Sequence, residues 1–273
     1  MNWRKVCAHD LYCGLLRPRY LWAMLIFMVP CIMKQIDLNF LGYRATWMDY
    51  MMGCFEGVNR VDPKTFQFPT MWLVIMGAGL FMNLDYLLGD LSLSGQQIIV
   101  RSGNRRGWYF SKCIWNLCST ALYLLLGSLG VLVFTILMGG VPSVANSPTV
   151  TEAFFPELYN TGFLIPVGEG LFMTLLLPYL HLAALSMVQM LLCLFCRPVF
   201  SFLLCMSQLM VAVYIYSPWV PGNGAMVQRN DMLNYFMGVS AGKSAIVAVA
   251  IIILCVVIGC LRFKKTDILA AVE

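Results

Sequence analysis

Few residues in this chain could act on a substrate, and they lie in apolar surroundings. Asn83 and Asp85 occur in FMNLDYLLGD, and His181 follows Pro178 and Tyr179 inside another apolar run. Gathered at one depth, an amide, a carboxylate and an imidazole would form a polar pathway or a proton relay, since polar groups in a bilayer are costly and usually functional. Taken singly, each has a structural use. His181 would hydrogen-bond across a helix interface near a kink, Asp85 would pair with a cytoplasmic arginine, and Asp90 would be solvated at the interface. Two histidines, His9 and His181, are too far apart for an HExxH zinc site. Cys193 and Cys196 form a C-x-x-C with no second pair, so most of the eleven cysteines are expected to be small buried hydrophobes. The GVSAGKS stretch at Gly238–Ser244 has three residues where a phosphate loop needs four. No catalytic, cofactor-binding or metal residues are expected, and the chain should not hydrolyse ATP alone.

The elements that must hold these residues are membrane helices. Hydrophobic residues make up 60% of the chain and charged residues 11%, with a mean hydropathy of +0.77. A soluble domain carries about 25% charged residues. The composition predicts one all-α integral membrane domain over 1–273, with six transmembrane helices at 20–34, 69–88, 113–138, 170–196, 199–217 and 243–261. The first is short for a span. Ahead of it, residues 1–19 mix Trp3, Val6, Leu11 and Leu15 with Arg4, Lys5, Arg17 and Arg19, the pattern of an interfacial amphipathic helix. That mixture lacks the clean apolar core of a cleavable signal. Of the longer connections, 35–68 contains TWMDYMMGCFEGV, suited to a short surface helix. The segment 217–242 breaks at Pro218 and Pro221, and can re-enter the bilayer only where protein or water satisfies its backbone.

Charge sets the expected orientation. Placing both termini, the 89–112 loop and the 197–198 turn on one side collects Arg4, Lys5, Arg17, Arg19, Arg101, Arg105, Arg106, Lys112, Arg197, Arg262, Lys264 and Lys265, most of the 18 basic residues. Basic residues favour the cytoplasm, so both termini are expected inside a plasma membrane. The net charge of +5 therefore speaks to topology and to the lipid bilayer, with no nucleic-acid partner implied.

The stretch DLSLSGQQIIVRSGNRRGWYFSKCIW at 90–115 concentrates charge between spans two and three. With Ser94-Gly95-Gln96-Gln97, Arg101-Ser102, Arg105-Arg106, Trp108-Tyr109 and Lys112, and with the six-span plan, the chain resembles the membrane subunits of ABC-2-type exporters. The nearest resemblance is to small permeases of Gram-positive bacteria associated with peptide or antimicrobial export. The resemblance implies a cytoplasmic coupling helix within 89–107, with Gly95, Gln96, Gln97, Arg101, Arg105 and Arg106 facing a separate ATPase and Ile98, Ile99 and Val100 filling a cleft on it. It also implies two ATPase copies carrying the ATP and Mg, and a second permease subunit, identical or related. The implied activity is outward movement of a hydrophobic or amphipathic substrate such as a peptide, drug or lipid. Two rival expectations are a non-transporting membrane partner in immunity or sensing, and a membrane-embedded enzyme built on His181 with Asn83 or Asp85.

Overall fold

A computed structural model describes residues 3–59, 68–84, 86–90, 95, 99, 104–156, 164–235 and 238–263. Among them the regular elements are helices, and β-type pairing is limited to isolated bridges at Thr46–Val141 and Asn230–Val239. The helices are α1 (Trp3–Leu15), α2 (Pro18–Leu41), α3 (Trp47–Cys54), α4 (Thr70–Met82), α5 (Tyr86–Asp90), α6 (Arg105–Leu137), α7 (Pro148–Phe154), α8 (Val167–Leu192), α9 (Pro198–Tyr214) and α10 (Ala241–Phe263). Helices α2, α6, α8 and α10 are long and apolar enough to cross a membrane, where about 20 residues are needed. The chain is therefore a multi-pass membrane protein. The expected spans at 69–88 and 199–217 contain the shorter helices α4, of 13 residues, and α9, of 17.

Two boundaries depart from expectation for local reasons. The first span is not short, because the helix continues through Lys34, Gln35, Asp37 and Asn39. Gln35 donates to Asn39 at 2.7 Å and Lys34 pairs with Glu56 at 2.8 Å, so Lys34, Gln35 and Asn39 find partners without breaking the helix, while Asp37 stays exposed. Gly42 ends it in a left-handed conformation, φ 71°, its N–H donating to the Leu38 carbonyl at 2.9 Å. The third span begins earlier than 113. Asn104 caps α6 by accepting from the Gly107 N–H at 2.9 Å, which makes Arg105 and Arg106 helical. At 33 residues, α6 is about 50 Å long and outreaches the hydrocarbon core.

Helix α6 is the centre of the bundle, with α1, α2, α8 and α10 packed along it. Gly127 and Gly130 admit α2. A Cβ on Gly127 would meet the Phe27 ring at 2.6 Å, and one on Gly130 would meet the Met24 Cα at 2.7 Å. Lipid tails are as apolar as leucine, so helix association in a membrane depends on such close contact. Helix α1 does form over the expected residues, but part of its face is covered by α6 rather than by lipid. Val6 is buried, and a Cβ on Gly14 would fall 2.1 Å from the Trp115 indole nitrogen.

Replacing Gly130 by Ala should therefore lower the melting temperature in detergent, at a cost of about 1–3 kcal/mol, because the obstructing atoms are backbone. Gly168→Ala, which meets nothing within 4 Å, is the control expected to leave it unchanged.

Candidate functional site

The densest concentration of buried charge lies where α1, α5 and the first turns of α6 meet. Lys112 is fully buried, and its Nζ lies 2.7 Å from Asp10 Oδ1 and 2.7 Å from Asp90 Oδ2. It also sits 4.8 Å from the Tyr86 ring centroid and 4.9 Å from that of Trp108. The other Asp10 oxygen accepts the Ser111 hydroxyl, and Tyr86 Oη donates to the Asp10 carbonyl at 3.3 Å. Tyr86 in turn stacks on Trp115 with centroids 3.4 Å apart. Removing an ammonium from water costs several kcal/mol, offset only by close opposite charge and hydrogen bonds. Two carboxylates and two aromatic faces provide that here. The expectation of Lys112 as a loop charge and Asp90 as a solvated acid is corrected, since the two neutralise each other inside the protein.

The residues expected to couple to an ATPase divide into three groups. Gly95 is buried, and a Cβ there would meet the Asp90 carbonyl oxygen at 2.8 Å, which ties the start of this segment to the ion cluster. Ile99 is buried in the chain's own core with Val6, Trp108, Cys113 and Phe263, so it does not present itself to a partner's cleft. Arg105 and Arg106 occupy the first turn of α6 and are exposed. Positive charge at a helix N-terminus opposes the helix dipole, so helix stability does not account for this pair. Gln96, Gln97 and Arg101 lie outside the described residues, as do Ile98 and Val100.

Asn83 and His181 are not brought together; each anchors its own network. Asn83 follows the last turn of α4 and donates to Ser186 Oγ at 2.9 Å and Thr120 Oγ1 at 3.2 Å. It accepts from Ser119, which accepts from Tyr20 at 2.6 Å. Nearby, Asn116 donates to the Ser186 carbonyl at 3.3 Å and Gln189 to the Leu80 carbonyl at 3.2 Å. Four helices are joined at this level by amides and hydroxyls alone. His181 instead accepts the Gly222 N–H on Nδ1 at 3.1 Å and meets Ser244 Oγ through Nε2 at 2.9 Å. With Nδ1 an acceptor, the neutral ring carries its proton on Nε2 and donates to Ser244. A base that activated this serine would need the opposite tautomer. His181 thus bonds to the segment after α9 and to α10, and Asp85 lies outside the described residues.

Two further polar anchors, not anticipated from sequence, close the other end of the bundle. Arg229 is buried and donates to the carbonyls of Val58 (2.7 Å), Ala212 (2.6 Å) and Val213 (2.5 Å), and to Asn223 Oδ1. Ala212 and Val213 belong to the final turn of α9, whose carbonyls lack helical donors and carry partial negative charge. Burial lowers the Arg229 pKa to about 10. Asp49 forms a capping box with Thr46 and accepts the Ser147 N–H at 3.0 Å, tying α3 to the start of α7. Burial raises its pKa despite these donors.

Lys112→Met should strand two acids at the α1–α5–α6 junction and destabilise the purified chain by about 3–5 kcal/mol. Adding Asp10→Asn and Asp90→Asn to Lys112→Met should recover most of that loss in the same thermal unfolding assay. Three equal and additive losses would show that the groups are not coupled.

No curated protein and no solved structure matches the chain. A family model described as a protein of unknown function (DUF2705) matches residues 20–269. Lys112, Asp90, Asn83 and His181 fall inside the match, and Asp10 falls before it. Spanning nearly the whole sequence, the match shows that the chain belongs to the DUF2705 family.

Proposed function

We propose that this chain is the membrane-spanning permease subunit of an ABC-2-type exporter. It would move a hydrophobic or amphipathic substrate outward while a separate cytoplasmic ATPase binds ATP and Mg. The observation that carries the reading is the exposed Arg105–Arg106 pair on the overhanging N-terminal turn of α6. Its base is held rigidly by Lys112, Asp10 and Asp90. A force applied there reaches α1, α5 and α6 together, as a coupling site requires.

In this reading α4 with α5, and α9, complete six spans. Both termini face the cytoplasm of a bacterial cell, and two ATPase copies serve two permease subunits. An apolar groove of about 370 Å³ between α4 and α9, lined by Leu73, Val74, Gly77, Phe81, Phe202 and Met206, suits contact with that second subunit. Substrate movement would follow from ATP-driven shifts between two helix arrangements, with no reacting group in this chain.

Isolation of the chain from its native membrane in mild detergent should bring down an ATPase in stoichiometric amount. Arg105→Glu with Arg106→Glu should release it from a permease that still folds and purifies. Recovery of a permease with no ATPase, under conditions that keep a known transporter complex whole, would refute the exporter reading.

A further inference from the structure

At the end of the bundle opposite Lys112, a cavity of about 500 Å³ opens among the last turns of α2, the segment after α3, the start of α4 and the end of α7. That volume is typical of small-molecule sites, about 300–1,000 Å³. Phe68, Trp72, Phe154 and Phe155 supply aromatic wall. Its described charged residues are Lys34, Glu56 and Asp37, two acids against one base.

The charges are unequally engaged. Lys34 Nζ is 2.8 Å from Glu56 and 5.0 Å from the Phe154 ring centroid, and Glu56 also accepts from Gln228 at 3.1 Å. Asp37 lies three residues beyond Lys34 on α2, where side chains share a face. It is exposed and has no partner among the described residues. Among the described residues an anionic ligand would find only Lys34, which it would have to take from Glu56, leaving two carboxylates unpaired. A cation meets a carboxylate already available, beside aromatic rings that attract it by their negative faces.

We infer that this cavity binds a cationic amphiphile, with its ammonium or guanidinium group against Asp37 and its apolar stem along Phe68, Trp72 and Phe154. The site stands apart from the exporter reading, since binding here requires no ATPase. Basic amphipathic peptides and alkylammonium compounds share this chemistry.

The test uses the full chain in phosphatidylcholine nanodiscs and two probes, read against empty nanodiscs. One is a dansyl-labelled peptide of alternating Lys and Leu blocks, followed by fluorescence anisotropy, and the other is dodecyltrimethylammonium, followed by calorimetry. Asp37→Asn should weaken both by about two- to fivefold, the worth of one carboxylate–cation contact near a surface. Lys34→Gln should tighten both, because it frees Glu56 as a second carboxylate, an effect opposite in sign to that of general damage. The probe more sensitive to Asp37→Asn identifies peptide or alkylammonium as the better fit. Binding of both probes unchanged in Asp37→Asn and Asp37→Lys, or dodecyl sulfate bound as tightly as dodecyltrimethylammonium, would overturn the inference.

Discussion

One buried ammonium organises the end of this protein where its basic residues gather. Lys112 has lost all contact with water, and its charge is balanced by Asp10 from α1 and Asp90 from α5. An unpaired charge in such a place is far more costly than any single apolar contact is favourable. The three helices are therefore held in one arrangement by the need to keep the cluster complete. Tyr86 and Trp115 are stacked beside it because Tyr86 also reaches the Asp10 carbonyl. Gly14 is required where α1 crosses Trp115. The position of Arg105 and Arg106 follows from the same cluster, two turns away on a continuous helix.

Polarity changes in kind along the bundle. At the Lys112 end it is ionic. At the level of Asn83 it is carried by amides and hydroxyls from Tyr20, Asn116, Ser119, Thr120 and Ser186. Neutral groups avoid the charge penalty that a bilayer interior imposes, yet still pair across helices. At the far end, charge returns, now matched mainly to backbone. Arg229 covers the last carbonyls of α9, and Asp49 gathers N–H and hydroxyl donors from two segments. Each device suits the water available at its depth.

Much of the fold was legible in hydropathy because long apolar runs have one economical structure in lipid. The long apolar helices α6, α8 and α10 and the helix before the first span all followed from it. What escaped has a common cause. Lys112 read as a topological charge, since sequence shows a lysine near a basic loop but not the acid 102 residues earlier that neutralises it. Asp90 was misread for the same reason. The length of α2 was hidden because Lys34 and Gln35 resemble a terminus until Glu56 and Asn39 are placed beside them. Arg229 gave no signal in sequence, because its acceptors are backbone carbonyls, which every sequence possesses. The shared weakness of such inference is long-range pairing of charge.

The two ends are mechanically joined, and the joining element can be identified. Helix α6 runs unbroken from the Lys112 cluster to Leu137, and the bonds that follow pair Val141 with Ala45 and Trp47 just before α3. Along that length Gly127 and Gly130 let α6 lie so close to α2 that an added Cβ would meet the Phe27 ring or the Met24 backbone. The last turns of α2 carry Lys34 and Asp37, which line the cavity at the opposite end. By contrast, α4 stops at Met82 and helix resumes at Tyr86, with Asn83 at the break holding hydroxyls on α6 and α8. A continuous, closely packed α2–α6 pair thus lies beside an α4 that is interrupted at Asn83. A neutral hydrogen bond contributes only about 0.5–1.5 kcal/mol net, whereas breaking a buried ion pair costs about 3–5 kcal/mol. The polar chemistry thus makes the Lys112 end the costlier of the two to rearrange, and the level of Asn83 the cheaper.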